Sequence, residues 1–416
     1  MRKPILAGLL LLTPLTAVAQ MYADFQTSVG NFTCELNFKA TPQTVANFVT
    51  LAEGTRPWLD ERDGLVSSTL PPQPFYDGIV FHRVVNQAGN RILQAGSRKG
   101  DGSDGPGYTF EDEFRVSEPT SYQHDSPYQL SMANSGLGSN GCQFFITGEA
   151  LPALNGKFTV FGKVVSGGAV IESILTAATD AHDQPLASIS IDHVTIRKVG
   201  TEASRFDASR VVLPMVTVPE FQSSITPGST ATLAFIQPAR SLLHLWSSED
   251  GGATWSDIGS RFIGAGERAA TSVQIDLSKA PDTAELLFRP VVTIYPTDSI
   301  VPSSVTNQQL YLENESGDYT FHFNAHGDQS YLIVFPSGET KTGKIQQVVY
   351  EPDGYGANLI IDTGADGAFR YRLAPNGKSK TGITGLQRGS FYNFLYGWIP
   401  YAENTDFALS PLPSGQ

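Results

Sequence analysis

Four separated segments of the chain combine aromatic, polar and glycine residues in patterns that suit ligand binding. The segments are FYDGIVFHRV at 75–84, ILQAG at 92–96, GPGYTFEDEF at 105–114 and YQLSMANSGLGSNGCQFFITGEALPALNGKFTVFG at 128–162. Arg83 is the clearest chemical group among them, because a guanidinium stays charged and offers several fixed N–H donors. The segments therefore combine a charged hydrogen-bond donor with several aromatic and apolar side chains.

Together these segments resemble the cyclophilin family of peptidyl-prolyl cis-trans isomerases, in the family's order and at nearly its spacing. The resemblance covers about residues 21–199, a little under half of the 416 residues. It implies a mainly β fold, with a closed eight-stranded barrel and two capping helices in this part of the chain. It also implies isomerase activity on X–Pro peptide bonds.

The implied reaction needs little chemistry from the protein. Resonance gives the peptide C–N bond a rotation barrier of ~18–20 kcal/mol, and X–Pro isomers exchange over tens of seconds or more. A catalyst must grip the proline ring, shield the amide from water and stabilise the twisted state. In that state the proline nitrogen regains its lone pair, so a donor aimed at it helps only there. No nucleophile, metal or cofactor is expected.

The resemblance assigns roles to individual residues. Arg83 takes the place of the catalytic donor, and the alternative is a surface arginine at a strand end. His82 is interpreted as a structural histidine that holds loops, and not as an acid or base. Gln94 is expected to support the arginine and contact substrate. The implied substrate-binding residues are Ile92, Gln94, Ala133, Asn134, Gln143, Phe145, Leu154 and Phe158.

The resemblance divides these residues into those that contact the substrate backbone and those that form the walls of the pocket. Ala133 and Asn134 are expected to take the substrate backbone through main-chain hydrogen bonds, while Gln143 forms a polar wall. Phe145 is the expected pocket aromatic, and Phe144 should point into the barrel because neighbours on a strand face opposite sides. For Phe145, as for Leu154, an ordinary core residue is the alternative.

Three positions depart from the family pattern. Arg91 falls where a pocket phenylalanine is usual, and would place a second charge near an apolar pocket. Ala153 falls where the family often has tryptophan or phenylalanine. Phe158 replaces a histidine or tyrosine, which keeps an aromatic wall but loses a polar edge. These departures leave an alternative function open, that of a weakly active proline-peptide-binding scaffold or adhesion protein.

One acidic segment could suggest a metal site. The sequence DGSDG at 101–105 has two carboxylates, but it lacks the later acidic ligand that a calcium hand requires. Family members have a glycine-rich loop here in any case. We therefore expect no bound metal.

The first 19 residues have the pattern of a secretory signal peptide. Arg2 and Lys3 precede a short apolar run at 5–18, and Ala17-Val18-Ala19 is a small-residue cleavage site. The run is too short to span a bilayer comfortably and no later run is longer, so we expect no transmembrane segment. The protein is expected to be secreted, either periplasmic or extracellular.

The charge of the mature chain bears on its partners. Cleavage removes two of the 28 basic residues and none of the 41 acidic ones, so the net charge becomes 26 − 41 = −15. Such a charge argues against nucleic acid as a partner. The expected partners are proline-containing segments of exported proteins, and nothing in the sequence identifies a partner for the C-terminal half.

Two cysteines, Cys34 and Cys142, are present in the chain. Secretion permits a disulfide, while the resemblance places Cys34 on an inward-facing strand and Cys142 in a surface loop. Either a bond or two separate small residues, one of them buried, is compatible with the sequence.

The chain divides by composition into a signal peptide (1–19), an isomerase domain (20–203) and two β-rich units. Within the isomerase domain, Pro42 suits the first position of a helix, a second helix is expected near 168–178, and residues 55–74 have the character of an exposed inserted loop.

The two C-terminal units have different β patterns. Residues 204–304 have short β runs typical of an immunoglobulin- or fibronectin-like sandwich, with an Asp-box-like hairpin turn at 248–255. Residues 305–416 predict a β-meander of unknown role. The aromatic run at 391–398 predicts a buried last strand, with docking of a partner or glycan as the alternative.

Overall fold

The computed structural model describes most of the chain after the expected signal peptide. The described residues are 19–68, 70–114, 122–136, 138–226, 229–263, 269–277, 285–296, 308–312, 318–323, 329–335, 337–352, 357–363, 368–379, 382–393 and 397–411. The predicted signal peptide (1–19) lies outside them except for Ala19. No helix in these ranges is both long and apolar enough to cross a membrane.

A nine-stranded sheet forms the N-terminal part of the chain, beside a separate two-stranded hairpin of β3 and β4. In chain order the strands are β1 (Gln20–Thr27), β2 (Gly30–Leu36), β3 (Leu59–Asp60), β4 (Leu65–Val66), β5 (Ile79–Val80), β6 (Arg83–Gln87), β7 (Asn90–Ala95), β8 (Gln129–Met132), β9 (Phe144–Thr147), β10 (Val160–Ser166) and β11 (Ser190–Val199). The order across the large sheet is β5-β11-β1-β2-β10-β8-β9-β7-β6. Its two end strands are consecutive in the chain, so the sheet curves back toward its own edge.

Aromatic side chains fill the inside of this curved sheet. Phe48 from the first helix lies against Phe144 and Phe161, with ring centroids 5.9 and 5.5 Å away. Phe25 and Tyr76 approach Phe144 at 5.8 and 5.7 Å. All five rings are buried. The predicted inward direction of Phe144 is therefore confirmed, and its strand neighbour is left to face the other side.

The helices are few and short: α1 (Pro42–Ala52), α2 (Gly168–Leu175), α3 (Thr201–Arg205) and single 3₁₀ turns at Pro152–Leu154 and Ala208–Arg210. Both predicted helices are confirmed, and α1 begins with Pro42 as expected. The carboxylate of Glu113 accepts the backbone N–H groups of Gln43 and Thr44 at 3.2 and 2.8 Å. A distant side chain therefore caps the first turn, whose N–H groups have no partner within the helix.

The inserted segment at 55–74 is less exposed than the sequence predicts. Trp58 is buried and packs edge-on against Phe75, with ring centroids 5.0 Å apart. The guanidinium of Arg98 lies 4.6 Å from the centre of the indole, and the indole N–H donates to the carbonyl of Gln73. The prediction of an exposed loop is wrong for Trp58, because these contacts fold its indole into the domain.

The second unit contains two sheets. Its strands are β12 (Met215–Thr217), β13 (Phe221–Thr226), β14 (Thr230–Gln237), β15 (Ser241–Ser248), β16 (Ser256–Ile263), β17 (Ala269–Asp276) and β18 (Leu287–Ile294). Four strands pair in the order β12-β18-β15-β16, and three in the order β13-β14-β17. Leu233 of one sheet shares a buried cluster with Leu245 and Phe288 of the other. The two sheets therefore face each other.

The predicted hairpin turn at 248–255 is confirmed between β15 and β16. Asp250 accepts hydrogen bonds from the backbone N–H and the hydroxyl of Thr254, at 2.8 and 2.6 Å. The Trp255 indole N–H donates back to the carbonyl of Gly252. The Asp250 carboxylate and the Trp255 indole N–H both form hydrogen bonds within the turn, which gives the motif a structural role.

In the third unit most strands pair antiparallel with the next strand along the chain. Its strands are β19 (Gln308–Leu312), β20 (Asp318–Phe323), β21 (Ser330–Val334), β22 (Thr340–Lys344), β23 (Gln347–Pro352), β24 (Ala357–Asp362), β25 (Ala368–Ser379), β26 (Gly382–Asn393) and β27 (Gly397–Pro411). The first strand pairs with the last. The aromatic run at 391–398 falls on the end of β26 and the start of β27, but 394–396 and the side chains of the whole run lie outside the described part.

The two cysteines are free and both are buried. Cys142 lies in a loop, but it is 1% exposed and its thiol is 3.0 Å from the carbonyl oxygen of Gly96. The expected surface position of Cys142 is therefore wrong. Burial raises the pKa of both thiols.

Candidate functional site

Arg83 begins β6 at the edge of the curved sheet and pairs with Gln94 on β7. Its side chain is 43% exposed, and its Nε lies 3.4 Å from a carboxylate oxygen of Asp183. The backbone N–H of Val84 donates to the carbonyl of the same aspartate at 2.7 Å. Within the described residues no hydrogen bond joins either Nη group to the protein. The Nη groups are therefore free to donate to a ligand.

A chain of amide side chains lies beside this arginine. Gln94 Nε2 donates to Gln143 Oε1 at 3.0 Å, and Gln143 Nε2 donates to the carbonyls of Gly102 and Asp104 at 2.9 and 2.8 Å. The carbonyl of Gln143 accepts the N–H of Ala133 at 2.9 Å. Gln143 therefore fixes Gln94, the glycine-rich loop and the 133–134 segment relative to each other.

Phe145 forms the apolar wall. It lies opposite Gln94 in the pairing of β7 with β9, and Ile92 lies opposite Thr147 in the same pair. Phe158 approaches Phe145 edge to face, with ring centroids 5.4 Å apart. Ile92 and Gln94 are two residues apart on one strand and therefore face the same side. The structure thus brings Ile92, Gln94, Phe145 and Phe158 together.

His124 supports this wall and was not predicted. Its ring stacks on Phe145 with centroids 5.8 Å apart. Its ring nitrogens lie 3.1 Å from Asn155 Oδ1 and 3.0 Å from Ser131 Oγ. Burial lowers the pKa of His124 to about 4, so the ring is neutral at neutral pH. The only sequence signal was a lone histidine shortly before the YQLSMAN motif.

Leu154 and Ala153 lie on the 3₁₀ turn, where Leu154 is half-buried and Ala153 is exposed. The turn is attached to the wall, because the N–H of Leu151 donates to the carbonyl of His124 at 2.7 Å. Leu154 is therefore linked to the wall residues through the turn.

Asn134 holds the segment that carries Phe158. Its Nδ2 donates to the carbonyl of Lys157 at 3.0 Å, and its Oδ1 accepts the N–H of Gly136 at 3.1 Å. Its side chain is thus occupied within the protein. Only the main chain of this segment is therefore left for the predicted backbone contacts, which stay a prediction.

A groove of about 310 Å³ continues from these residues. Its lining includes Gln94, Ala133, Asn134 and Gln143, which are four of the predicted site residues, and most of the segment at 102–109, although not Gly107 itself. Gln94 lies opposite Phe145 and therefore borders both the groove and the apolar wall.

Arg91 does not add a charge to this pocket. It lies one residue from Ile92 on β7 and so faces the opposite side of the strand. Its Nη2 lies 2.9 Å from Glu172 on α2, its Nε donates to Asn86 and its Nη1 to the carbonyl of Gly148. The expectation of a second charge near the apolar wall is wrong, because strand alternation turns Arg91 toward α2.

The surroundings of His82 and of the acidic loop at 101–105 indicate structural roles for both. His82 is buried, neither ring nitrogen has a hydrogen-bond partner among the described residues, and desolvation lowers its pKa to about 4. Asp104 accepts the N–H groups of Arg98 and Lys99 at 2.9 and 3.0 Å. Within the described part of the chain no group of three or more metal-ligating side chains is present.

Known proteins are similar in sequence to the N-terminal part of this chain. The sequence model of the family "Cyclophilin type peptidyl-prolyl cis-trans isomerase/CLD" matches residues 22–196. A probable peptidyl-prolyl cis-trans isomerase A of Mycobacterium leprae is 43% identical over 42% of this chain and 91% of the relative. Peptidyl-prolyl cis-trans isomerase B of Streptomyces anulatus is 38% identical over 42% of this chain and 97% of the relative.

Solved structures are also similar over this region. One is a cyclophilin type isomerase of Cryptosporidium parvum in the presence of the dipeptide Ala-Pro, with 26% identity and a TM-score of 0.35. It covers 42% of this chain and 98% of that protein. On the sequence relatives alone, the chain belongs to the cyclophilin family of peptidyl-prolyl cis-trans isomerases.

Proposed function

We propose that this isomerase acts on X–Pro bonds of exported proteins and assists their folding. The observation that supports the site assignment best is the position of Arg83, which lies across the strand pair from Gln94. Gln94 in turn lies opposite Phe145. A charged donor thus borders an apolar wall of the kind that a proline ring requires.

The mechanism follows from these positions. Phe145 and Phe158 hold the proline ring, with Ile92 and Leu154 at the edges of the same wall. Arg83 donates to the proline nitrogen once the amide twists, and Gln94 keeps the neighbouring substrate oxygen in register. Main-chain groups of Ala133 and Asn134 bind the substrate backbone. No bond is made or broken, so catalysis consists of stabilising the twisted amide more than either planar isomer.

Arg83→Ala tests the assignment. A charged donor that acts only in the transition state should contribute about 1.4–4 kcal/mol, so we expect kcat/KM on a short proline peptide to fall ten- to a thousandfold. Arg83→Lys keeps the charge without the planar fork and should be intermediate. The matched control is Arg197→Ala, because Arg197 is similarly exposed and is also paired with one aspartate. An unchanged rate in folded Arg83→Ala would remove Arg83 from the mechanism.

Export is supported by the amino-terminal pattern. Fusing residues 1–19 to a reporter enzyme that is active only outside the cytoplasm tests it directly. An inactive reporter that becomes active behind a known signal sequence would refute secretion.

We propose domain types and boundaries that go beyond the observed strand order. A closed eight-stranded barrel is supported by the two end strands of the nine-stranded sheet, β5 and β6, because only two residues separate them and together they would count as one strand that joins both edges. An immunoglobulin- or fibronectin-like sandwich is supported by the four-plus-three strand division of the second unit. The proposed divisions are 20–203, 204–304 and 305–416.

A second candidate function is a proline-peptide-binding scaffold with little turnover. Exposed Ala153 favours it, because the rim lacks a large side chain at that position. A wild-type protein that binds proline peptides but leaves their isomerisation rate unchanged would support the scaffold.

A further inference from the structure

The groove wall at 102–109 rests on the inserted hairpin. The N–H of Leu59 on β3 donates to the carbonyl of Pro106 at 3.0 Å. Gly107 has φ +84°, and a Cβ placed on it would come 2.5 Å from Leu59 Cβ. Segment 105–107 therefore lies directly against the hairpin, and a side chain at Gly107 would separate them.

The second unit contacts the same glycine from another side. Thr293 on β18 is buried and donates its hydroxyl to the carbonyl of Gly107. Val216 on β12 is also buried, and its Cγ2 lies 3.4 Å from the Cβ position of Gly107. Both residues lie beyond the family match, so the isomerase domain receives this support from outside its own fold.

The hairpin is held by the second unit as well. The ring of Trp246 lies on Gly64, whose Cβ position is 2.5 Å from the indole. Arg289 Nη1 donates to the carbonyl of Asp63 at 2.8 Å. Trp246 and Val216 belong to the same buried cluster as Leu59. The groove wall, the hairpin and the second unit thus form one packed stack.

We propose that the second unit is a positioning element for the isomerase. Through Thr293 it sets the position of segment 105–107, and so the affinity for peptide residues that flank the proline. This inference rests on the proposed function of the Arg83 site. Thr293 hydrogen-bonds to the groove wall and touches no proposed catalytic group, so it is a positioning residue that acts on binding and not on the rotation step.

The physical basis is the hydrogen bond that its loss would remove. Thr293→Val keeps the shape but takes the hydroxyl away from the buried Gly107 carbonyl, which then has, among the described residues, only His244 of β15 beside it as a donor. Losing a buried hydrogen bond is unfavourable, so the segment should shift to strengthen the remaining one. A shift of 105–107 narrows or widens the groove while Phe145 and Arg83 stay in place.

The test compares two ligands on the full chain. One is a capped Ala-Pro dipeptide, which is too short to fill the groove. The other is an eight-residue peptide with a central Ala-Pro bond. Dissociation constants come from titration, and KM and kcat from exchange measurements by NMR. Thr271→Val is the matched control, since Thr271 is a buried threonine of the same unit that faces Gln237.

We expect Thr293→Val to raise the dissociation constant and KM of the long peptide three- to tenfold, with kcat changed less than twofold. The dipeptide should bind as to wild type, and Thr271→Val should alter neither. Thr293→Ser keeps the hydroxyl and should bind the long peptide as wild type does. If the valine variant fails to fold, the serine variant still tests the proposal, because a loss of long-peptide binding in it would contradict the role of the hydroxyl. Equal losses for both peptides, or no loss for either, would overturn the proposal. Absence of isomerisation by wild type would instead refute the proposed activity, because binding is measured separately.

Discussion

Phe158 meets Phe145 edge to face, with ring planes at 89° and centroids 5.4 Å apart. This is a favoured arrangement for two aromatic rings, because the positive edge of one faces the negative face of the other. His124 stacks on Phe145 with an interplanar angle of 8°. The wall is thus made of three rings, and the phenylalanine at 158 replaces the polar side chain that is usual in the family without breaking it.

Phe158→Ala should weaken substrate binding more than catalysis. An aromatic pair contributes about 0.5–1.5 kcal/mol beyond its buried area, which corresponds to a rise in KM of about two- to thirteenfold. Because the ring touches the planar and twisted forms of proline alike, kcat should change little. Phe158→Tyr keeps the ring and is the control. The prediction is checked by steady-state kinetics on a short proline peptide, and a wild-type KM for Phe158→Ala would contradict it.

The site residues were predicted from the family resemblance, but the directions in which some of them point follow from patterns that are local in sequence. Strand alternation separates Phe144 from Phe145, and the same rule separates Arg91 from Ile92 once the strand is known. The helix that begins at Pro42 was visible from one proline and an apolar stripe. Such patterns need only neighbouring residues.

Contacts between distant segments could not be predicted. Asp183 reaches Arg83 across about a hundred residues, and Thr293 reaches Gly107 across nearly two hundred. No periodicity links positions so far apart. Trp58 was expected to be exposed because its loop is rich in proline and charge, but partners from Phe75 and Arg98 bury it.

The two thiols should be silent in the native protein. Cys34 and Cys142 are free and buried, and desolvation raises the pKa of each, which keeps the unreactive thiol form. We expect an aromatic disulfide reagent to titrate two thiols per chain in denaturant and almost none without it. Reducing agent should leave the thermal midpoint unchanged. A midpoint that falls on reduction would indicate a disulfide.

His124 should make the protein sensitive to acid. Its pKa is about 4 in the fold against an ordinary value near 6.5, so the unfolded chain binds the extra proton more readily. The contribution of neutral His124 to the free energy of unfolding is therefore constant above pH 6.5 and is lost as pH falls from 6.5 toward 4. The full loss is about 3 kcal/mol at 1.36 kcal/mol per pKa unit.

The pH dependence of the free energy of unfolding is measured by denaturant unfolding at several pH values. In His124→Gln the unfolding free energy should fall less steeply between pH 6.5 and 4 than in wild type, although the variant is less stable at pH 7. His182→Gln, at an exposed histidine, is the control and should follow wild type. Parallel curves for His124→Gln and wild type would show that His124 does not titrate in this window.

The isomerase domain should fold without the rest of the chain, but less stably. Residues 20–203 contain every strand of the first sheet, so we predict a soluble fragment with a native-like spectrum. It loses Val216 and Trp246, which cover Gly107 and the hairpin, and the Pro214 carbonyl that accepts from buried Arg56 at 2.8 Å. A domain of this size loses about 2–4 °C per kcal/mol, so a loss of a few kcal/mol should lower Tm by about 5–15 °C.

Fragment 20–217 regains Val216 and the Pro214 carbonyl and should recover part of that difference in Tm. Calorimetry of both fragments and the full chain measures it. An insoluble or molten 20–203 fragment beside a native full chain would place the domain boundary farther along the sequence, past the residues that pack on Gly107.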